Sequence, residues 1–316
     1  MTSKLLTVSI TTYNRQQELI EQLRSLERQG LYDKYCIKIF NNKSNYDVEE
    51  TLRSALSAEF MDIITVHNRK YNVGGDCNIA LAFLQTETPW MWLLSDDDIT
   101  TPTSLQTVLE DIEKYKDVCW LKYSIAGAFP DKKVDNLVDV FRNGHKFGEF
   151  LFMSNNVYQL SMMSDYLGNI MNFICTSFSQ CAVPLLYIKN AHGKMMFRSA
   201  AVCTYGVGPI SYKYHYAHLN FPNFIGSQID LSKQEIRAFK ELADESAIGL
   251  LKSLFEVGNK YLRREFLKKY MAFYLWGGKI NKFIYYILYW IFDIMNCNVK
   301  DIEKCYKNIR HPFSKK

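Results

Sequence analysis

The chain has 316 residues, of which 48% are hydrophobic and 15% aromatic. This composition excludes an intrinsically disordered protein, because a chain so rich in apolar side chains can bury a sizeable core. None of its eight cysteines forms a C-x-x-C pair, so we expect neither a structural zinc site nor a disulfide framework. The first fifteen residues are too polar for a signal peptide, which predicts a cytoplasmic protein with reduced thiols.

The net charge of +5 is distributed unevenly along the chain. Residues 233–316 contain 17 Lys and Arg against nine Asp and Glu, whereas the preceding residues are slightly acidic overall. A basic C-terminal third indicates either an anionic partner on that side or ordinary solvated helix faces.

The first 116 residues alternate between apolar runs of strand length and helical patterns. The predicted strands cover residues 5–10, 36–40, 63–67 and 90–94. The predicted helices cover residues 18–29, 47–59 and 72–84, and a fourth begins at 101–102 with Pro at its first position. Asn14 and Asp47 are the expected caps of the first two helices. The pattern predicts an α/β fold with a parallel sheet covered on both faces.

The later residues are less regular. Residues 126–150 are polar and contain Gly, Pro and Asp, so we expect a connection there. Ser232 and Glu235 have the spacing of a capping box and predict the start of a helical C-terminal region.

Three consecutive aspartates, Asp96, Asp97 and Asp98, follow the fourth predicted strand. In open α/β sheets ligands bind at the carboxyl ends of the strands. Adjacent carboxylates repel one another, and holding them ionised near a buried strand costs free energy unless a cation compensates. Asp96 and Asp98 would point the same way if the chain stays extended. A hard divalent cation, Mn²⁺ or Mg²⁺, is therefore expected there, with a solvated, helix-capping turn as the alternative.

A second interpretation comes from the spacing of Asp96, Asp98 and Thr100, which matches the Asp-x-Asp-x-Thr pattern of haloacid-dehalogenase-like phosphatases. In that family the first Asp is a phosphorylated nucleophile, and the motif follows the first strand. Here three strand–helix units precede it, which weakens the phosphatase hypothesis.

Four ordered segments resemble the inverting family-2 glycosyltransferases, which have the Rossmann-like GT-A fold. They are VSITTYNR (8–15), IFNNKS (39–44), NVGGDCNIA (72–80) and WLLSDDDI (92–99). Each motif alone is weak evidence for the family, but the four occur in the family's order and together cover about the first 125 residues. SNNVY (154–158) is further similar to a stretch of bacterial O-antigen enzymes of the abequosyltransferase-like branch.

The resemblance implies a role for each matching residue. Thr11 and Tyr13 would lie against the nucleotide base and ribose, and Asn78 would hold the nucleotide or sugar. Asn41 stands where the family usually has an Asp that pairs with the base. Because an amide both donates and accepts while a carboxylate only accepts, the identity of the base stays open.

The aspartates take the remaining roles. Asp98 would bind the metal directly, and Asp96 would contact the ribose or the metal side. The family usually supplies an Asp as the general base that deprotonates the acceptor. No Glu-Asp pair occurs between residues 150 and 200, so Asp165 is the nearest candidate, with a helix-surface position as its alternative. His218 is a candidate extra metal ligand, against ordinary aromatic-rich packing.

The resemblance also implies a domain organisation. Residues 1–230 would form the catalytic domain, with a nucleotide-sugar half at 1–125 and an acceptor half at 126–230. Residues 231–316 would be a helical appendage. Within it, residues 283–292 (FIYYILYWIF) are uncharged and bulky and are flanked by Lys279, Lys282 and Asp293. A bilayer span needs about 20 apolar residues, so this segment is too short to cross a membrane. This segment favours either a helix in the headgroup layer or a packed interface.

The sequence therefore predicts a glycosyltransferase that moves a sugar from a nucleotide-sugar donor to a saccharide acceptor, lipid-linked if the C-terminal segment binds membranes. The setting would be bacterial surface-polysaccharide synthesis, in the cytoplasm or on the inner face of the cell membrane, with no nucleic-acid partner. The alternatives are the phosphatase and a non-catalytic GT-A-like binding protein, which the missing base would allow.

Overall fold

The structure of the chain is a computed structural model. It describes residues 4–125, 127, 129–206, 225, 228–243, 254, 255, 261, 263–265, 287, 289–291 and 293. The chain forms two compact units, one of residues 1–174 with 178–209 and the other of residues 175–177 with 210–316. The predicted functional divisions at residues 125 and 230 stay predictions.

The first unit contains an eight-stranded mixed sheet with the strand order β3-β2-β1-β4-β8-β6-β9-β7, and a separate pair, β10-β5. The strands are β1 (Leu6–Thr12), β2 (Tyr35–Asn41), β3 (Ile64–Asn68), β4 (Trp90–Ser95), β5 (Ile99–Thr100), β6 (Trp120–Tyr123), β7 (Lys132–Val134), β8 (Asn156–Gln159), β9 (Met195–Arg198) and β10 (Cys203–Thr204).

Helices connect these strands, and one more helix lies in the second unit. They are α1 (Gln16–Glu27), α2 (Val48–Ala55), α3 (Ala58–Met61), α4 (Gly75–Leu84), α5 (Ser104–Lys114), α6 (Leu137–Asn143), α7 (Phe147–Leu151), a 3₁₀ segment (Leu160–Thr176), α8 (Ser179–Ala191) and α9 (Lys233–Ala243).

The predicted parallel sheet of four strands is confirmed. β1 pairs in parallel with β2 on one side and β4 on the other, and β2 pairs in parallel with β3. Ile10 lies between Ile39 and Leu94 in this register, and all three side chains are fully buried. β4 is almost entirely apolar, whereas β1 alternates apolar residues with Thr and Ser. Nearly all of these β1 side chains are buried as well, because helices cover both faces of the sheet.

The second half of the sheet differs from the sequence prediction. β8 runs antiparallel to β4 and to β6, and β9 runs parallel to β6. The expectation of a mere connection at 126–150 was wrong, since β7, α6 and α7 lie there. These three elements are three, seven and five residues long, too short to show a clear helical or strand period in the sequence.

The predicted helix caps have mixed outcomes. Asp47 accepts a hydrogen bond from the Glu50 N–H and caps α2 as expected. Asn14 does not cap α1, because its side chain accepts from the Asn45 N–H in the next loop. The single helix predicted over 47–59 is divided, since Ser57 caps a separate short helix, α3. Pro102 precedes α5 and is not its first residue.

The capping box that opens α9 is confirmed. The Ser232 N–H donates to the Glu235 carboxylate, and the Glu235 N–H donates to the Ser232 hydroxyl. Most of the predicted helical region beyond α9, and most of the 283–292 segment, lies outside the described residues. In the described part of the chain, no helix is long and apolar enough to cross a membrane.

Candidate functional site at the carboxyl ends of the strands

The carboxyl ends of the parallel strands bring the predicted polar residues to one edge of the sheet. Thr11 is opposite both Phe40 and Ser95 in register, so the ends of β1, β2 and β4 are level. The three aspartates follow β4 directly. This edge is therefore the candidate site that the fold itself predicts.

Asp96 is buried against an arginine from the loop between β1 and α1. The Arg15 guanidinium lies 2.9 Å from Asp96 Oδ1 and 2.6 Å from Asp97 Oδ2, so one cation compensates two carboxylates. Burial nevertheless raises the pKa of Asp96 to about 6, although the nearby Thr12 hydroxyl and then Arg15 oppose the shift. Asp96 Oδ2 is buried and has no hydrogen-bond partner among the described residues. A buried oxygen left without a partner is costly, and a bound ligand or cation would remove that cost.

Asp98 is held by different elements. Its Oδ2 accepts a hydrogen bond from the Ser154 hydroxyl just before β8, and its Oδ1 lies 3.2 Å from the Gly206 N–H after β10. Burial raises the pKa of Asp98 to about 6, with the Ser154 hydrogen bond acting in the opposite direction. The carboxylate is therefore desolvated and fixed in position before any ligand binds.

The triplet does not remain extended as the sequence analysis assumed. β4 ends at Ser95, the aspartates form a bend, and β5 begins at Ile99. Asp96 and Asp97 share Arg15, whereas Asp98 contacts Ser154 and Gly206. Because of this bend, Asp96 and Asp97 face the loop after β1, whereas Asp98 faces the segments before β8 and after β10.

The donor atoms fit a divalent cation only if a ligand completes its coordination. Within the described ranges, no group of three or more His, Cys, Asp or Glu side chains converges as a ready-made metal site. Asp96 Oδ2 has no partner, and each Asp98 oxygen retains a lone pair beyond its one hydrogen bond. Mg²⁺-like ions are commonly held by one or two carboxylates together with substrate phosphates. The residues fit that arrangement.

An amide network lies at the ends of β2 and β3. Asn41 donates to Asn68 Oδ1 at 2.8 Å and accepts from the Ser44 N–H at 2.9 Å. Asn42 is bound in turn to Asn72, in the loop that leads into α4. The network fixes the orientation of the Asn41 amide, which the sequence analysis placed at the nucleotide base.

Asn78 is buried on α4 beneath this network. It donates to the Phe40 carbonyl at 2.7 Å and accepts from Arg69 Nε at 3.1 Å. Thr11 is partly buried on β1, and Tyr13 is 46% exposed in the loop that follows. The structure thus brings Thr11, Tyr13, Asn41 and Asn78 to the edge that carries Asp96 and Asp98.

The two remaining candidates do not join this group. Asp165 is exposed on the 3₁₀ segment, and no hydrogen bond or ion pair within the described residues connects it to the other candidates. His218 lies outside the described residues. Their predicted roles as general base and metal ligand stay predictions.

Sequence reasoning missed the side chains that hold the aspartates. Arg15 ends the first motif, and Ser154 begins the SNNVY stretch, so both were in quoted segments but received no role. Gly206 is separated from Asp98 by 108 residues, and no local pattern indicates their contact.

Lys122 is a fourth residue that the sequence analysis overlooked. It is fully buried on β6, and its Nζ donates to Asn155 Oδ1 at 2.8 Å and Asn156 Oδ1 at 3.0 Å. Burial lowers its pKa to about 7. Lys122 therefore binds the two residues that directly follow Ser154, the partner of Asp98.

The fold is similar to that of several solved structures. The S. aureus TarS 1–349 structure in complex with UDP-GlcNAc matches with 15% identity and a TM-score of 0.56, over 86% of this chain and 79% of that one. The mannosyltransferase PcManGT from Pyrobaculum calidifontis, in complex with GDP-Man and Mn²⁺, matches with 14% identity and a TM-score of 0.55, over 89% and 78%. At such identities the likeness establishes the fold, which is the α/β GT-A fold.

A longer S. aureus TarS structure matches with 13% identity and a TM-score of 0.55, covering 86% of this chain but 54% of that one. The chain thus spans about half of its length. No curated protein sequence matches the chain. The sequence model of glycosyl transferase family 2 matches residues 7–178, more than half of the chain. The chain therefore belongs to glycosyl transferase family 2.

Proposed function

We propose that the protein transfers a sugar from a nucleotide-sugar donor to a saccharide acceptor. The observation that carries this proposal is the pair of desolvated carboxylates at the carboxyl end of β4, the buried Asp96 and the partly buried Asp98. The unpartnered Asp96 Oδ2 and the fixed Asp98 are suited to a charged ligand that arrives with its own cation. The complexes of fold relatives with UDP-GlcNAc and with GDP-Man and Mn²⁺ support this class of donor.

The proposed donor site uses residues on both sides of β1. Thr11, Tyr13 and Asn41 contact the base and ribose, with the Asn41 amide already oriented by Asn68 and Ser44. Asn78 helps to hold the nucleotide or the sugar through Phe40 and Arg69, which it binds. Asp98 would bind the divalent cation, Mn²⁺ or Mg²⁺, and Asp96 would contact the cation or the ribose. The cation would neutralise charge on the diphosphate as the nucleotide leaves. Arg15 keeps Asp96 and Asp97 compensated and sets the position of Asp96.

The acceptor hydroxyl attacks the anomeric carbon as a general base takes its proton, and the bond from that carbon to the diphosphate oxygen breaks, so that the nucleoside diphosphate leaves with the electron pair. We propose inversion at that carbon, in line with the motif resemblance, and Asp165 remains the candidate base. The wider setting we propose is bacterial surface-polysaccharide synthesis, related to the abequosyltransferase-like branch. A lipid-linked acceptor on the inner face of the cell membrane would explain the basic C-terminal third.

Two alternatives differ in what they predict. A dehalogenase-type phosphatase would form an aspartyl-phosphate on Asp96 and hydrolyse p-nitrophenyl phosphate, and we expect neither. A non-catalytic binding protein would bind the nucleotide sugar without turning it over.

Thermal-shift measurements against UDP-, GDP-, CDP- and dTDP-sugars, with and without Mn²⁺, test the proposal. We expect one nucleotide class to raise the melting temperature, with a larger rise in Mn²⁺. Asp98→Asn is the matched variant, and it should lose the part of the rise in melting temperature that depends on Mn²⁺. If no nucleotide stabilises the protein, or if steady phosphatase turnover is lost in Asp96→Asn, the proposal is wrong.

A further inference from the structure

An exposed apolar surface lies beside the aspartates and has no role in the donor site. Tyr205 is 54% exposed and Ile99 is 51% exposed. Ile99 lies opposite Thr204 in the antiparallel β5–β10 pair, and Tyr205 is the residue after Thr204. The Phe152 ring packs edge to face against Tyr205, with the ring centroids 4.5 Å apart. We refer to Phe152 and Tyr205 as the aromatic platform.

Each aromatic residue of the platform lies one or two residues from a residue that hydrogen-bonds to Asp98. Gly206 follows Tyr205, and its N–H lies 3.2 Å from Asp98 Oδ1. Ser154, two residues after Phe152, donates to the other oxygen of Asp98. The two rings are therefore held at a short chain distance from the carboxylate, and binding there requires little ordering of the protein.

The position of the platform separates it from the proposed nucleoside contacts. Those contacts lie at the ends of β1 and β2 and on α4, on one side of β4. Phe152 precedes β8, which borders β4 on the other side, where Leu93 is opposite Asn156. A molecule on the platform would thus approach Asp98 from the side opposite to the nucleoside.

We propose that the aromatic platform binds a sugar ring of the acceptor saccharide. This inference rests on the proposed function, since it places the acceptor next to the donor diphosphate. One face of a pyranose consists of C–H groups, which are attracted to the negative π face of an aromatic ring. The Tyr205 hydroxyl adds a polar tip beside this apolar body, as a sugar with both apolar and hydroxyl surfaces requires. Catalysis needs the acceptor held close to the anomeric carbon, and the platform is fixed to the aspartate that we assign to the diphosphate side.

Binding of simple glycosides to the full chain tests the platform. The probes are methyl β-D-glucopyranoside, methyl β-D-galactopyranoside and methyl α-D-mannopyranoside, titrated by ligand-observed NMR with and without UDP and Mn²⁺. We expect at least one glycoside to bind the wild type. Tyr205→Ala should weaken the affinity for that glycoside at least tenfold, and Tyr205→Phe should leave it unchanged. Tyr71→Ala is the matched control, because Tyr71 is 66% exposed but follows β3 on the other side of the sheet.

The outcomes separate this inference from the proposed function. Glycoside binding that Tyr205→Ala removes and Tyr71→Ala preserves supports the platform. If the wild-type protein binds none of the glycosides, or if Tyr205→Ala binds as tightly as the wild type, the platform proposal is overturned. A protein that binds glycosides through Tyr205 but no nucleotide sugar would support the platform while refuting the proposed donor site. Unchanged melting of Tyr205→Ala, expected for a half-exposed ring, shows that a loss is not due to unfolding.

Discussion

Asp96 and Asp98 are held differently at the candidate site, since Asp96 is paired with Arg15 whereas Asp98 accepts hydrogen bonds from neutral groups, and this determines what their substitution should do. Asp98→Asn keeps the size of the side chain but removes the charge, and its single amide oxygen can accept from only one of Ser154 and Gly206. We expect transfer activity to fall by roughly 10²–10³-fold or more, because a preorganised charge at the diphosphate is lost. Activity with a saturating nucleotide sugar and Mn²⁺ measures this effect.

The same substitution should leave the fold intact. Burial raises the pKa of Asp98 to about 6, so the carboxylate is mostly ionised at neutral pH but less stable than it would be in water. Replacing it by a neutral amide removes that cost, and the melting temperature of Asp98→Asn should therefore not fall. Asp96→Asn is the comparison, with a smaller loss of activity if Asp96 holds the ribose. Full activity of Asp98→Asn, or of the wild type in EDTA, would rule out the metal-dependent mechanism.

Lys122 gives a pH-dependent prediction at the residue scale. Its pKa is about 7 in the folded protein and near 10.5 when unfolded, so between these values the unfolded chain binds a proton that the folded chain does not. The stability cost of Lys122 is therefore full below about pH 7 and decreases as pH rises toward 10. Each pKa unit corresponds to ~1.4 kcal/mol, so the full range amounts to about 5 kcal/mol.

Denaturant unfolding of the wild type and Lys122→Met between pH 6 and pH 10 measures that dependence. The wild type should gain stability relative to Lys122→Met as pH rises. Lys132→Met is the control, because Lys132 is exposed on β7. The stability of this variant should change with pH as that of the wild type does. Parallel curves for the wild type and Lys122→Met would show that Lys122 is not desolvated as described.

At the scale of elements, the β5–β10 pair depends on one glycine. A Cβ at position 206 would lie 1.6 Å from the Asp97 carbonyl oxygen, which no side chain movement can relieve. We expect Gly206→Ala to push β10 away from the aspartate bend, lower the melting temperature and remove the hydrogen bond to Asp98. The melting temperature of the free protein measures the loss of stability. The Mn²⁺-dependent rise in melting temperature on adding a nucleotide sugar measures the effect of losing the hydrogen bond to Asp98.

Gly168→Ala is the control for this prediction. A Cβ at position 168 would meet no atom within 4 Å, so this variant should behave as the wild type. A Gly206→Ala protein with normal melting and normal Mn²⁺ dependence would show that the close approach to Asp97 does not exist.

The elements also show why half of the sheet was predictable from the sequence. β1, β2 and β4 have six or seven residues and are rich in apolar side chains, and their burial follows from that pattern. β6 has four residues and includes Lys122, whose burial depends on amides contributed by residues 155 and 156. A short strand with a lysine in it becomes recognisable only when its tertiary partners are known.

The same distinction applies to the site. The aspartates, Thr11 and Tyr13 belong to local motifs at strand ends, so the sequence was enough to place them together. The contacts of Asp98 with Ser154 and Gly206 join segments 56 and 108 residues apart. Asn14 failed as a cap for a related reason, because it bonds across to Asn45 in the loop after β2.

At the scale of the whole molecule, the C-terminal third combines a basic charge with exposed apolar side chains. Ile287 and Ile291 are helical, four residues apart, and 43% and 44% exposed. Residues four apart lie on the same face of a helix. Tyr289 and Asp293 are buried instead, with Tyr289 packed on Phe255 and Asp293 paired with Arg263 and Arg264. Deleting this segment would therefore remove packing as well as any membrane contact, and point substitutions are the better test.

We predict that Ile287 and Ile291 contact an anionic membrane surface. Exposed apolar residues on a helix can enter the headgroup layer, and each nearby Lys or Arg adds ~1 kcal/mol of attraction to anionic lipids. The double variant Ile287→Asn/Ile291→Asn should sediment at least tenfold less with phosphatidylglycerol-containing liposomes while melting as the wild type does.

Tyr289→Ala is the contrasting variant, because it removes a buried ring and should lower the melting temperature. Raised salt should weaken the wild-type attachment, since screening acts over ~8 Å at physiological ionic strength. If the wild type does not sediment with anionic liposomes, or if the double variant sediments equally well, the membrane prediction is wrong while the glycosyltransferase assignment stands.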